Sequence, residues 1–534
     1  MKDLYQKMDD ALEKVLRTHY PHIHLEPPLW EVPQRQEFGD FSTMIALKIA
    51  SQSKENPYHV AKEIGKFLRE NLSGAEKNVG KIDIIKPGFI NLFFSKKALV
   101  DALNRVLKEK EKAFVPGKKR KVLIEFVSAN PTGPLSIAHG RQAVVGDVIA
   151  NILAFCGNNV VREYYINDEG RQIELFTQSV EERIKELHGE EFAVPEGGYL
   201  GEYVKEVARC ACEAQPPSLQ EFVLKTLLSW IKSDLNTLGI TFDSWISQRE
   251  LIGKGKVEDI LHFLKEKGFL YEKDSALWFS ATKFGDDKDR VLKKNDGTVT
   301  YFASDIAYHK NKLERGCDFL INLWGPDHHG YIPRVKAGVR ALGFDDTLLR
   351  ILIIQLVSIK TKEKMSKRKG TALFLSDLEK EVGKDAARFY YLTRRHSSPL
   401  EFDIDLAKTA SFDNPLYYIQ YAHARSCSIF KNAKVTEVES DYTSFLHDKE
   451  EFLLLRKILQ FAYCIDKIYY SLEPVYLIEF LKDIATSFHK FYETKRVIGE
   501  GENTTMARLT LVEAVRIVIA CSLNILGITP LREM

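Results

Sequence analysis

The sequence predicts an α/β protein: a doubly wound parallel-sheet domain between a small N-terminal α+β domain and an all-α C-terminal domain. Three observations carry that expectation. Val122 to Val127 reads Val-Leu-Ile-Glu-Phe-Val, an apolar run broken by one carboxylate, as in a parallel strand buried on both faces. From there to about residue 375, strand-like and helix-like stretches alternate. Beyond residue 376 the pattern is helical, with few glycines and no strand run of comparable strength.

In chain order, Leu4, Met8, Ala11, Leu12, Val15 and Leu16 recur at helical spacing. Strand-like pieces follow at Ile82 to Ile85 and Phe89 to Phe94, which places the first domain at residues 1–115. Pro116-Gly117 and the cations Lys118, Lys119, Arg120 and Lys121 read as a linker into the central domain, 116–375. After the Val122 strand comes a turn dense in turn formers, Ser128-Ala129-Asn130-Pro131-Thr132-Gly133-Pro134. Leu135-Ser136-Ile137-Ala138-His139-Gly140-Arg141 then leads into a helix marked by Val144, Val145, Val148, Ile149, Ile152 and Leu153. Between about 175 and 290 the rhythm changes, with Pro195-Glu196-Gly197-Gly198, Pro216-Pro217 and helical stretches at Phe222 to Leu238 and Val257 to Lys267. That stretch is read as an insertion between two halves of the sheet. Apolar strands resume at Phe319 to Leu323 and Leu349 to Leu356, and the helical domain occupies 376–534.

Composition narrows the function classes. At 534 residues the chain is too long for one core. Its 45% apolar and 28% charged residues are those of an ordinary globular protein. A formal charge of +2 argues against a generally basic nucleic-acid coat protein or a DNA binder, so any RNA must meet local patches such as Lys118 to Lys121 or Lys293-Lys294. Seven scattered cysteines without a Cys-x-x-Cys pair argue against a disulfide framework and a structural zinc site, so no resident metal is expected. No stretch reads as a signal peptide or a membrane span, and a cytoplasmic location is expected. Gly253-Lys254-Gly255-Lys256 lacks the spacing of a phosphate-binding loop, and Gly197-Gly198-Tyr199-Leu200-Gly201 does not match a dinucleotide fingerprint.

Two segments carry the chemistry. Lys364-Met365-Ser366-Lys367-Arg368-Lys369-Gly370 sets cations around a small hydroxyl residue just beyond an apolar strand, where ligands of open sheets bind. Such a charge run is as often a solvated face. The upstream strand, turn and helix supply its partner. A helix N-terminus offers unpaired N–H groups to an anion, small Ser136 and Ala138 permit close approach of a nucleotide, and His139 can donate to a phosphate or ribose oxygen.

With these residues in view, the sequence resembles the class I aminoacyl-tRNA synthetases, in the form that arginyl-tRNA synthetases use. Glu125 to Arg141 is similar to their first signature and Lys364 to Lys367 to their second. Phe38-Gly39-Asp40-Phe41-Ser42-Thr43 with Pro87-Gly88-Phe89-Ile90-Asn91 resembles the N-terminal tRNA-binding domain, and Asn414 to Arg425 the opening of the helical anticodon-binding domain. Ser136 and Ala138 stand where the family pattern has a histidine and a glycine, and Arg368 replaces a serine.

The resemblance implies a Rossmann-like catalytic domain that joins ATP and L-arginine into arginyl-adenylate, then loads the 3'-terminal adenosine of tRNA(Arg), with Mg2+ held mainly by ATP oxygens. It implies that tRNA must be bound before arginine is activated. The residues it places on ATP are Asn130, Pro131, Thr132, Gly133, Ser136, Ala138, His139, Gly325, Asp327 and His328. Catalysis would fall to His139, Lys364, Ser366 and Lys367, which orient the polyphosphate and offset its growing charge.

A guanidinium calls for carboxylates that accept two N–H donors at once. Tyr301 and Asp305 lie four apart at what reads as a helix start, so both can face one pocket. Glu125, Asn130 and Gln355 complete the implied arginine site. The plainer readings are an Asp305 helix cap and a surface Glu125, but Glu125 lies in an apolar run, and a buried carboxylate needs a partner that a cationic ligand can supply. His328-His329 suggests metal at first sight, yet adjacent residues diverge and no third ligand stands at suitable spacing.

Tyr417, Tyr418, Gln420, Tyr421, His423 and Arg425 form an aromatic and polar cluster suited to stacked RNA bases, or otherwise a packing stripe. No heptad seam is present, so a monomer is expected. The alternative is a catalytically impaired relative that holds tRNA or senses arginine, which rests on Ser136 and Ala138 alone.

Overall fold

The computed structural model describes residues 2–534 except His24, Glu26, Gln34, 73–77 and 361–372, with the side chains of residues 2–4 left aside. The chain divides into two compact units, one of residues 1–117, 155–157 and 410–534, the other of residues 118–154 and 158–409.

In the first unit, the helix Lys2–His19 buries Met8, Leu12 and Val15 along one face, as its spacing predicts. It accompanies a three-stranded antiparallel sheet of β1 (Phe41–Thr43), β2 (Val79–Ile85) and β3 (Phe89–Phe94), in the order β1-β3-β2. Gly39 has φ +96°, and a Cβ there would stand 2.6 Å from the Leu92 carbonyl oxygen, so only glycine fits the approach to β3. The next residue, Asp40, is buried, accepts from the Phe94 amide (2.7 Å) and pairs with Arg456 of the helix Lys449–Ser471. Asp40 is thus an anchor between the small sheet and the C-terminal helices.

Those helices, Pro415–Ala433, Lys449–Ser471, Val475–Thr494 and Glu502–Ile525, pack as the expected bundle. Their starts are legible: Asn414 caps Leu416 and Tyr417, and Asp448 forms a capping box with Glu451. Arg508, 4% exposed, joins the buried Glu451 and the more exposed Asp448 and Glu500 in one cluster.

The second unit is built on a five-stranded parallel sheet. Its strands are β4 (Lys121–Glu125), β5 (Asn159–Ile166) and β6 (Ser244–Ser247) in the first half. A separate antiparallel sheet follows, of β7 (Leu270–Lys273), β8 (Ala276–Phe279) and β9 (Arg290–Lys293). Then β10 (Phe319–Trp324) and β11 (Leu349–Ile353) complete the large sheet in the order β11-β10-β4-β5-β6. The connection reverses direction between β4 and β10, and in such sheets the crevice beyond the strand ends at that reversal receives ligands. The helix Ile137–Phe155 buries Val144, Val145, Val148, Ile149, Ile152 and Leu153, as predicted.

Two expectations are corrected. The stretch read as one insertion is interrupted by β6, which returns to the main sheet as its edge. The apolar run Leu349 to Leu356 ends as a strand at Ile353, and the chain continues into β12 (Val357–Lys360), which pairs in parallel with β13 (Leu400–Asp403). β13 lies within the region read as wholly helical. At four residues it is too short for its alternation to stand out from flanking helix patterns.

Candidate active site

At the carboxyl ends of β4, β5 and β10 lies a cavity of about 660 Å³. Its wall includes Glu125, Asn130, His139, Tyr301, Asp305, Gly325, Asp327 and His328, so the predicted first signature, the helix start at Tyr301 and the segment after β10 do meet.

The floor follows from register. Glu125 of β4 lies level with Glu163 of β5 on one side and Asn322 of β10 on the other. Residues in register on a parallel sheet share a face, so three polar groups stand in one row. The helix Tyr301–Glu314 and the turn after it meet that row with Tyr308, His309, Lys312 and Arg315. Lys312, wholly buried, pairs with Glu125 and donates to Asn322 Oδ1 at 3.0 Å. Arg315 forks onto Glu163, which also accepts from the Tyr308 hydroxyl (2.8 Å). These donors hold the Glu163 carboxyl below the usual range even though burial pushes the other way. Glu125 therefore has an internal cationic partner, a correction to the expectation that its demand for one is left to a ligand.

Asp305 differs. Its partner is the Tyr331 hydroxyl, and among the described residues it makes no ion pair. Burial, with Glu125 adding to it, pushes its carboxyl up to about 7 against the pull of Tyr331, Lys312 and Arg334. A cavity acid in that condition is ready to accept a cation. Tyr301, one turn earlier on the helix, is 61% exposed and edges the same cavity.

The entry turn is held under strain. Val127 and Ser128 have φ of 68° and 41°, a region that a β-branched residue rarely enters. That turn lets Ser128 Oγ donate to Glu125 Oε1 (2.9 Å) while it accepts from the Tyr165 amide (3.1 Å). Asn130 is exposed on the rim and bonded to Gln172 and Asn167.

His139 accepts at Nδ1 from the Ser136 amide (3.2 Å), with Ser136 Oγ 3.1 Å away. The ring hydrogen is thereby assigned to Nε2, which makes His139 a neutral donor. Burial lowers its pKa and keeps it so.

Other predicted residues stand elsewhere. Among the described residues, Pro131, Thr132, Gly133, Ser136, Ala138 and Gln355 do not line the cavity. Thr132 O accepts from the Tyr203 hydroxyl (3.2 Å) and Gly133 packs against the Tyr203 ring, so this part of the turn serves packing. Ser136 acts on His139 from behind. Gln355 uses its amide on His396 and its carbonyl on Arg141. Lys364, Ser366 and Lys367, with Arg368 and Gly370, lie outside the described residues. The chain just after that stretch is described: Leu373 O accepts from the Ile137 amide (3.4 Å) and Leu375 N donates to Leu135 O (2.7 Å). Phe374 bridges Ser136. The second signature is thus followed directly by residues bonded to the first.

Several wall residues escaped the sequence reading: Tyr165, Gln172, Gln248, Trp324 and Tyr331. Of these, Trp324 and Tyr331 had a local signal, as the two ends of the Trp-Gly-Pro-Asp-His-His-Gly-Tyr run. His328 lies 3.5 Å from Asp327, and no group of three His, Cys, Asp or Glu among the described residues could hold a metal.

In the first unit, Tyr417, Tyr418 and Tyr421 gather around Phe412, which is 57% exposed, and His489. The Arg425 guanidinium lies over the rings of Tyr421 (4.6 Å) and Tyr492 (4.7 Å). Gln420 does not join them. It is buried and ties the tail through Thr529 O (2.7 Å) and the Leu531 amide (2.9 Å), while His423 Nδ1–H donates to Leu531 O.

Among the described residues no helix is long and apolar enough to cross a membrane, and no disulfide joins the seven cysteines. Three family models match: the arginyl tRNA synthetase N terminal domain at residues 2–94, the catalytic domain of tRNA synthetases class I (R) at 102–391 and the DALR anticodon binding domain at 419–534. The arginine–tRNA ligase of Carboxydothermus hydrogenoformans is 41% identical over 94% of each chain, and that of Aquifex aeolicus 39% over the whole of both. Among solved structures, arginyl-tRNA synthetase from Thermus thermophilus superposes with a TM-score of 0.80 at 20% identity, covering 99% of this chain and 100% of that one. The Plasmodium falciparum enzyme gives 0.76 at 19%, covering 100% and 99%. At those identities the two structures speak for the fold.

Proposed function

The chain belongs to the arginyl-tRNA synthetases, and from that membership we propose how its own residues share the work of charging tRNA(Arg). ATP and L-arginine form arginyl-adenylate with release of pyrophosphate, and the 3'-terminal adenosine then takes the arginyl group. The observation that carries the assignment of roles is Asp305: a half-buried carboxyl on the cavity wall without an ion pair among the described residues, beside Glu125, whose charge is already matched. Asp305 receives the guanidinium, with Tyr301 at the edge and Tyr331 holding the carboxyl in place. Glu125 and Asn130 orient the rest of the amino acid.

ATP lies toward His139, Gly325, Asp327 and His328, which line the same cavity. His139 donates Nε2–H to a phosphate or ribose oxygen, and Lys364 and Lys367 neutralise the polyphosphate. Magnesium, when bound with ATP, screens the phosphate charge. Pyrophosphate exchange with ATP, arginine and tRNA tests the reading, with charging assays across all amino acids as the control for specificity. Activity without exchange dependence on arginine would refute it.

Two outcomes are expected here. His139→Ala lowers kcat about 100-fold or more, as for loss of one preorganised donor, whereas His139→Gln, which keeps a donor, retains the larger share. Because burial lowers the His139 pKa, the acid limb of the rate profile does not move between wild type and His139→Gln.

In the first unit, the half-buried cluster of Tyr417, Tyr418, Tyr421 and Arg425 beside the exposed Phe412 stacks unpaired anticodon bases. Arg425→Ala is expected to raise KM for tRNA about fivefold or more while KM for ATP and arginine stays unchanged. A cytoplasmic monomer that binds neither DNA nor membrane completes the proposal, and sedimentation at micromolar concentration checks the oligomeric state.

A further inference from the structure

Lys312 lies two helical turns beyond Asp305 on the same helix, so the element that offers the free acid of the cavity also carries a cation to its floor. Its side chain is 0% exposed. A buried ammonium persists only where several groups compensate it, and three do: the Glu125 carboxylate, Asn322 Oδ1 at 3.0 Å and the Tyr308 ring, whose centre lies 4.2 Å from Nζ.

The hydrogen-bond polarity of the row is determined. Lys312 donates to Asn322 Oδ1, so Asn322 Nδ2 faces His309 Nε2 (3.0 Å) as the donor. His309 Nδ1–H is then left to donate to the Asp305 carbonyl (2.8 Å). Burial and the nearby Lys312 push His309 down to about 3, which agrees with a neutral ring. One chain of donors therefore runs from Lys312 to the backbone of Asp305, while the same ammonium grips Glu125. Ser128 holds the other Glu125 oxygen. Within the row the charges are matched, Lys312 with Glu125 and Arg315 with Glu163, whereas Asp305 makes no ion pair among the described residues.

We infer that Lys312 is a positioning residue of the arginine site: without touching substrate, it fixes the Glu125 carboxylate from behind and ties it to the frame of Asp305, so that arginine meets two carboxylates in one set geometry. The inference rests on the arginine site proposed above. In the wild type, titration calorimetry must first show arginine binding; its absence would refute that site and not the role of Lys312.

The test compares wild type, Glu125→Gln, Lys312→Met and the double variant Glu125→Gln/Lys312→Met, with arginine affinity and KM for ATP read in each. Lys312→Met is expected to weaken arginine about tenfold or more and to leave KM for ATP within about twofold. In the Glu125→Gln background the same change is expected to add less than about twofold, because the group it positions has gone. Equal losses in both backgrounds, a parallel loss for ATP, or a gain in arginine affinity would each overturn the inference; a gain would make Lys312 a mere competitor. Should Lys312→Met alone fail to fold, the double variant still decides, since removal of both members of a buried pair leaves no charge stranded. A further tenfold loss between Glu125→Gln and the double variant would then overturn it.

Discussion

Asp305→Asn is expected to lower kcat/KM for arginine by about 30-fold to several thousandfold, the range that follows from breaking a buried, hydrogen-bonded charge pair at 2–5 kcal/mol. The amide keeps the size and one acceptor but loses the charge and the second acceptor that a forked guanidinium needs. KM for ATP, assigned to other residues of the cavity, stays near the wild-type value. The pH behaviour follows from the raised carboxyl, at about 7 in the empty protein. Below that pH, arginine must displace a proton, so its affinity falls about tenfold per pH unit; above it, affinity is flat. Calorimetry in buffers of different ionisation enthalpy should show proton release on arginine binding at pH 6, none at pH 8.5, and none at either pH in Asp305→Asn.

The same carboxyl makes a stability prediction with a definite sign. An acid whose folded pKa lies above its unfolded value contributes stability in full below the unfolded value, near 3.8, and loses it as pH rises through about 7. Asparagine has no charge to strand in the cavity. Relative to wild type, the empty Asp305→Asn protein therefore gains in melting temperature from pH 5 to pH 8, even as it loses its substrate. A variant that lost both stability and arginine binding at pH 8 would show that Asp305 supports the fold, contrary to its assignment to the ligand.

Arg141→Met is expected to produce the largest loss of stability. The Arg141 side chain, 0% exposed, donates to three backbone carbonyls: Gln355 (2.9 Å), Ser398 (2.8 Å) and Arg395 (2.8 Å). It thereby joins the signature helix to the chain after β11 and to the turn before β13. Methionine fills much of the volume but leaves three part-buried acceptors without their charged donor, and each such bond contributes about 1.5–3 kcal/mol. Because the three share one donor and do not add, a loss of about 3–5 kcal/mol is expected, read by denaturant titration of the protein. Arginine and ATP affinities measured well below the melting temperature should change little, since Arg141 is absent from the cavity wall.

Much of the fold could be read from local pattern. The Val122 strand, the turn after it and the buried face from Val144 to Leu153 were legible because one strand or helix displays its period within a few residues. The short β13 was not, and neither was the return of β6 to the main sheet, since four residues carry too little alternation. In the site, His139, Tyr301 and Asp305 line one cavity, their motifs having marked them as candidates. Thr132 and Gly133 belong instead to packing against Tyr203, a residue from a distant helix that no local signal connects to the turn. Gln420 looked like its neighbours Tyr417 and Tyr421, but on the helix it points to the C-terminal tail.

Local pattern was enough to read the kinds of element, their order and the chemical groups that the turns present, because these depend on backbone preferences and on periods of two and 3.6 residues. Which carboxylate stays without a charged partner came from packing between distant segments. Glu125 and Asp305 are both acids beside the same cavity, and nothing near Glu125 in the chain distinguishes them. The register that aligns Glu163, Glu125 and Asn322, and the helix that lays Lys312 and the turn that lays Arg315 against that row, satisfy two of the acids internally. A buried charge takes whichever partner geometry brings within reach, and that geometry joins residues far apart in the chain.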